Sequence, residues 1–301
     1  METYQKYLDP KVLNKITKLD LKARLIVEGF VTGLHKSPYH GFSVEFAQHR
    51  EYVPGDDLRH LDWKVYGRND RLYLKQYEQE TNLRAYIMLD TSESMSYKSD
   101  ELTKLEYASY IASSLAYLIN QQQDAVGLVL FDREVSRFIP ASSSSAQLKG
   151  IFNEIATARA LKKTDIGAVF HNAAERITHK GLVIIISDLL DEIQKVPKIM
   201  SGLNHFRHRG HDVILFHVLD DFERSFPFQR LTMFEGMEEY PELLIDPRSL
   251  RREYLNEVEA FCTGIRRGCL EQKIDYLQVT TDQMLDVALS GYLARRLARR
   301  R

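Results

Sequence analysis

A chain of 301 residues with 44% hydrophobic and 28% charged residues is long enough to bury a sizeable core and has the balance of an ordinary globular protein. Its formal net charge of −1 argues against general nucleic-acid binding, which a basic balance would accompany. Only two cysteines occur, Cys262 and Cys269, which excludes a disulfide framework and leads to the expectation of a cytoplasmic protein.

Residues 1–34 read as helical. Asp9-Pro10 is a cap followed by proline at the first helical position, and Val12, Ile16 and Leu19 recur at helical spacing before Gly33. The opening stretch Met1 to Asp9 is polar and lacks the apolar core of a secretory signal. Residues 35–82 are irregular and rich in charge and aromatics. Phe42, Val44 and Phe46 alternate with polar residues as in a strand, and Leu72 and Leu74 do the same. Val53-Pro54-Gly55-Asp56 is a turn, because proline presets φ and glycine supplies positive φ.

From residue 83 the pattern becomes strands alternating with helices, the mark of an α/β fold with a mostly parallel sheet covered by helices. The strands are expected at Ala85–Leu89, Ala125–Phe131, Gly181–Ser187, Asp212–Val218 and Ile274–Val279, with a short edge strand at Val135–Ile139. Helices are expected over 102–120, 146–157, 166–179, 193–209, 248–272 and 282–298. No apolar run is long enough to span a bilayer. The arginine-rich end Arg295 to Arg301 reads either as cations set against a helix C-terminus or as a docking point for an acidic partner or membrane surface. The organisation expected is an N-terminal extension over 1–82 and an α/β domain over 83–301.

In such a sheet, ligands bind beyond the carboxyl ends of the strands. The first core strand runs directly into Asp90-Thr91-Ser92-Glu93-Ser94, which places one carboxylate and two hydroxyls at alternate positions past a strand end. Oxygen-only ligands suit a hard divalent ion such as magnesium. Thr164, at a helix start, and Asp188, directly after an apolar strand, complete the ring directly or through water. The competing reading is that Ser92, Ser94 and Thr164 only cap helices.

The pattern Asp90, Ser92, Ser94, Thr164 and Asp188 resembles the metal-ion-dependent adhesion site of von Willebrand A domains. That resemblance implies magnesium, manganese or calcium held by the serines and threonine, with the aspartates acting largely through water. It also implies one open position for an acidic group of a partner. Leu189 stands where the family often has glycine, and Asp191 follows closely.

A second resemblance covers residue 40 to the C-terminus. Residues 50–64 read Arg-Glu-Tyr-Val-Pro-Gly-Asp-Asp-Leu-Arg-His-Leu-Asp-Trp-Lys, followed by Lys75-Gln76-Tyr77-Glu78, Asp220-Asp221-Phe222-Glu223-Arg224 and Leu244-Ile245-Asp246-Pro247. This is similar to the bacterial family called domain of unknown function 58, which implies a von Willebrand A-like fold and association with a MoxR-type AAA+ ATPase in maturation, assembly or stress functions. The mixed charges of the 50–80 stretch read as a structural network or as a partner-binding face.

No phosphate-binding Gly-x-x-x-x-Gly-Lys-Ser/Thr loop and no Gly-x-Ser-x-Gly nucleophile elbow occur. His205 and His208 share a helix face without a third ligand, so a solvated surface is expected there. The function expected is a non-enzymatic, metal-dependent protein-binding adaptor. The alternatives are a metal-free scaffold, supported by Leu189, and a magnesium-dependent hydrolase, for which Glu93 and Asp191 are the nearby acid–base candidates.

Overall fold

The computed structural model describes residues 48–51, 73–76, 83–160, 166–190, 196–234, 243–286 and 289–290. The N-terminal helix, the 42–46 strand, the turn at 53–56, Thr164, Asp191 and the arginine-rich end lie outside the described residues. Contacts divide the chain into two units, of which the smaller spans Leu34–Asn82. Within it, β1 (Gln48–Glu51) and β2 (Tyr73–Gln76) pair antiparallel, with Arg50 opposite Leu74 and Glu51 opposite Tyr73.

The larger unit carries a six-stranded sheet. In chain order its elements are β3 (Arg84–Asp90), α1 (Lys104–Gln121), β4 (Ala125–Phe131), β5 (Val135–Ser142), α2 (Ser145–Thr157), α3 (Ile166–Arg176), β6 (Leu182–Ser187), α4 (Val196–His208) and β7 (Asp212–Leu219). These are followed by α5 (Asp221–Ser225), the hairpin strands β8 (Thr232–Phe234) and β9 (Leu243–Ile245), α6 (Pro247–Glu271) and β10 (Asp275–Thr280). The sheet order is β10-β7-β6-β3-β4-β5; every pairing is parallel except the β4–β5 edge. This is the mostly parallel, helix-flanked α/β class expected from the sequence.

Strands β3, β4, β6 and β7 are apolar almost throughout because helices cover both faces. Side chains alternate between those faces. Tyr86, Met88, Val129, Val183, Ile185, Val213 and Leu215 join the core built with Phe170 of α3, Phe206 of α4 and Ile265 of α6. Helix α1 packs against β3, β4, β6 and β7. Its start is set by a full capping box: the Thr103 side chain accepts from Glu106 N–H, and the Glu106 side chain accepts from Thr103 N–H. Helix α6 begins with Asp246 as cap and Pro247 in its first turn.

Four elements were not anticipated from the sequence. Strand β1 lies beyond the expected 42–46 strand, helix α5 is a single short turn, and the β8–β9 hairpin is too short to show a period. The edge strand β5 runs to Ser142, further than expected, and its pairing with β4 is shifted at Val126/Leu128 and Leu130/Phe131. Between those shifts' first pair sits Gly127, where a Cβ would come 2.6 Å from Ile139 O and 2.9 Å from Ala141 N. The neighbours are backbone and cannot swing aside. Gly127→Ala is expected to destabilise the fold by about 1–3 kcal/mol, read as a lower urea midpoint at unchanged slope; an unchanged midpoint would show that the β4–β5 edge is loose.

Candidate metal centre

The chain leaves β3 and builds outward to β4 and β5, then returns to the other side of β3 to lay down β6, β7 and β10. The direction of winding therefore changes between β3 and β6, and the carboxyl ends of these two strands flank the crevice where such sheets bind ligands. Asp90 ends β3, and Ser187 and Asp188 end and follow β6. All three are fully buried.

Past Asp90 the chain is tied down residue by residue. Thr91 donates twice to Phe131 O, from its N–H at 2.7 Å and from its hydroxyl at 2.9 Å, which anchors the loop to the end of β4. Ser92 N–H donates to Asp90 Oδ1 at 2.8 Å, and Ser187 Oγ donates to Asp90 Oδ2 at 2.5 Å. Both oxygens of Asp90 are thus engaged and its rotamer is fixed. Residues Glu93–Ser96 form a 3-10 turn with Ser92 at its start, yet the Ser92 side chain makes no capping bond. The next helix, α1, is capped by Thr103. Ser92 and Ser94 therefore do not cap the following helix, and the capping alternative fails for both. Their hydroxyls lie 3.0 Å apart, both in buried residues.

Asp188 is held as tightly. Leu190 N–H donates to its Oδ1 at 3.0 Å, and Lys104 Nζ donates to its Oδ2 at 2.7 Å. Lys104 opens α1 and also donates to Glu223 Oε1 at 2.6 Å. A lysine is an unusual choice there, because the positive end of the helix dipole disfavours a cation in the first turn. It is also fully buried. Burial alone would lower its ammonium, but the facing Asp188 and Glu223 outweigh that and hold it above the ordinary lysine range. Glu223 belongs to the one-turn helix α5; its Oε2 accepts from Asp220 N–H at 2.8 Å, and burial pushes its carboxyl up against the opposing pull of Lys104. Asp220 caps α5 and accepts at Oδ2 from Ser99 N–H and from the Thr281 hydroxyl. The Asp-Asp-Phe-Glu-Arg stretch thus ties the loop after β3 to the ends of β7 and β10.

Burial, with Asp188 beside it, pushes the Asp90 carboxyl up to about 7. A cation placed among these groups would oppose that shift, since opposite charge favours the ionised form. Two buried hydroxyls within one ion's reach of each other, next to two orientated carboxylates, form an all-oxygen donor set of the kind that hard divalent ions take. On this ground Ser92, Ser94, Asp90 and Asp188 fit a magnesium-class ion. Thr164 lies outside the described residues, and Glu93 is half-buried in the 3-10 turn.

His217, unremarked in the sequence, backs the Asp188 loop from β7. Its Nε2 lies 2.9 Å from the Asp188 carbonyl, which can only accept, so the proton sits on Nε2. Its Nδ1 then accepts from Tyr276 OH at 2.7 Å. Burial lowers the imidazole to about 4, so it stays neutral. The His205/His208 face lies at the surface, as expected: half-buried His205 has its Nδ1 2.9 Å from Nδ1 of His171, and exposed His208 lies within hydrogen-bond distance of Asn204.

A family profile matches residues 48–261 of the chain. The chain belongs to DUF58, a family of unknown function. The matched span runs from β1 through the loop after β3 to Glu223 and into α6. An uncharacterized protein of Mycobacterium tuberculosis is 24% identical over 269 residues, which cover 87% of this chain and 83% of that one. Among solved structures, the conserved hypothetical protein BatB of Bacteroides thetaiotaomicron is 19% identical with a TM-score of 0.49, over 72% of this chain and 99% of that one. An aerotolerance-related membrane protein of Bacteroides fragilis is 20% identical with a TM-score of 0.47, over 71% and 99%.

Leu189, where the family often has glycine, adopts the left-handed backbone that glycine takes most readily. Its φ is +54°, and its side chain is fully buried in the core. A left-handed non-glycine residue costs about 1–2 kcal/mol, whereas removing a buried leucine side chain costs about 2–5 kcal/mol. Packing outweighs strain, so Leu189→Gly is expected to lower stability by about 1–3 kcal/mol in chemical denaturation. A stabilised variant would mean that the strain, not the packing, dominates this loop.

Proposed function

We propose that this protein is a non-enzymatic, metal-dependent protein-binding adaptor. Magnesium, or manganese or calcium, is held by the hydroxyls of Ser92 and Ser94, joined by Thr164. Asp90 and Asp188, each oxygen of which accepts a hydrogen bond from the protein, act around the ion largely through water, as the resemblance to the adhesion site implies. When bound, the ion supplies a Lewis-acidic position that an acidic side chain of a partner can fill. The observation that carries this reading is the buried Ser92–Ser94 hydroxyl pair, free of any capping role, at the strand-end crevice between β3 and β6.

The partner proposed is a MoxR-type AAA+ ATPase, or a client presented to it, supplying an aspartate or glutamate; the setting proposed is the cytoplasm. The ATPase provides the nucleotide chemistry, since the sequence carries no phosphate-binding loop of its own. No helix among the described residues is long and apolar enough to cross a membrane.

One observation favours a second reading. Lys104 already gives Asp188 a cationic partner at 2.7 Å, an arrangement that suits a scaffold needing no metal. Thermal melts separate the two. Wild type and the Ser92→Ala/Ser94→Ala double variant are melted with EDTA, magnesium or manganese. The adaptor reading predicts that ion at a hundredfold its Kd stabilises wild type by about 2.7 kcal/mol and leaves the double variant unmoved. No ion-dependent shift in wild type would make the metal-free scaffold the correct account.

A further inference from the structure

Away from the strand-end crevice, two histidines from different helices meet nitrogen to nitrogen. His171 of α3 and His205 of α4 place their Nδ1 atoms 2.9 Å apart, with ring centroids 5.0 Å apart and ring planes at 47°. His171 is exposed and His205 half-buried, so the pair is open to solvent. The helices approach this closely because Gly202 of α4 packs on α3; a Cβ there would come 2.8 Å from Phe170 Cβ. Two imidazole nitrogens at such a distance share one proton or one cation, since two N–H groups would collide and two bare lone pairs would repel. His208, further along α4, is committed elsewhere: its Nε2 lies 3.0 Å from Asn204 Nδ2, which can only donate.

We propose that His171 and His205 form an imidazole-based metal site, separate from the oxygen donors of the crevice, that clamps α3 to α4 through a divalent ion of the copper and nickel class. Two metal–nitrogen bonds of about 2.0–2.1 Å span about 2.8–3.0 Å when they meet at a right angle, but about 3.3–3.4 Å at the tetrahedral angle. The 2.9 Å between the two Nδ1 atoms therefore matches neighbouring positions of a square-planar or octahedral ion rather than tetrahedral zinc. The ion takes the place of the shared proton, which passes through solvent to Nε2 of the same ring, so the neutral pair releases no net proton. The charges that reach His205 are of both signs: Glu175, one turn past His171, favours a cation, whereas Arg209 and His208 oppose it. A hard ion such as magnesium, which needs oxygen ligands, gains little there, but an ion that bonds to neutral imidazole does not depend on that field. Among the described residues no group of three or more histidine, cysteine or acidic side chains is arranged around one ion, so water or a group of another molecule completes the shell.

The test is calorimetric titration with nickel(II), on the full chain without an affinity tag, of wild type, His171→Gln, His205→Gln and the control His179→Gln. His179 is an exposed histidine beside Thr178 that lies outside the pair. Loss of a mere outer-shell partner lowers metal affinity about 10–100-fold, so removing one of two ligands is expected to weaken nickel binding at least about tenfold in each pair variant. Glutamine keeps a hydrogen-bonding side chain on its helix, which separates the loss of a ligand from the loss of a polar contact. His179→Gln is expected to bind as wild type does. Because the ion joins two helices, nickel is also expected to raise the Tm of wild type and of His179→Gln, and to leave the Tm of both pair variants unmoved. With copper(II) in place of nickel, electron paramagnetic resonance is expected to show hyperfine coupling to two imidazole nitrogens in wild type and to lose that pattern in the pair variants. Circular dichroism checks each fold, and if His205→Gln does not fold, the exposed His171→Gln decides alone. Undiminished nickel affinity in a folded pair variant overturns the site and leaves the two histidines as a proton-sharing contact. Absence of nickel binding in wild type overturns it equally, and neither result touches the oxygen donors of the crevice.

Discussion

Two carboxylates, Asp90 and Asp188, are held out of water at the point where the sheet reverses its direction of winding, and much of the local structure is arranged to make that tolerable. A buried charge must be paired or hydrogen-bonded, or the fold pays several kcal/mol. Asp90 is satisfied by Ser92 N–H and the Ser187 hydroxyl, and Asp188 by Leu190 N–H and Lys104. The loop after β3 and the lysine are tied down in turn. Thr91 is pinned to β4, Lys104 is seated by a capping box, and Glu223 holds the lysine from the far side. Helix α5, only one turn long, exists in this setting to present Glu223 and Asp220.

The fold was legible because its signal is periodic and redundant. Runs such as Leu182 to Ser187 are apolar on both faces, as a strand covered by helices on both sides requires, and their alternation with helical segments settles the class. The Asp90–Ser92–Ser94 spacing was legible for a related reason: residues just past a strand end in an α/β sheet project into one crevice. What escaped the sequence was everything set by long-range contact. Lys104 looks like a solvated lysine in a polar helix start, and only the fold brings it beside Asp188, 84 residues away, and Glu223, 119 residues away. A cation at a helix N-terminus runs against the dipole, and that local conflict was the one signal available. Helix α5 and the β8–β9 hairpin are too short for any period to reveal.

Leu189 shows how a large side chain can be held at a backbone conformation that favours glycine. The family often has glycine after this aspartate; Leu189 adopts a left-handed backbone at φ +54°, and the cost is offset by burying the leucine in the core between the sheet and its helices. His217 completes the support from β7, its single proton donated to the Asp188 carbonyl. The loop that carries Asp188 is therefore held on its carboxylate, its carbonyl and its following side chain. Such a rigid support is what the proposed ion-presenting role requires.

A crystal structure of the protein grown with manganese, with data collected for manganese anomalous scattering, tests the central claim most directly. The account predicts a peak bonded to Ser92 Oγ and Ser94 Oγ at about 2.0–2.3 Å, with Lys104 still on Asp188 and Glu223. An ordered crevice without that peak, with the two hydroxyls still bonded to each other, would contradict it and leave Lys104 as the only cation this fold was built to hold there.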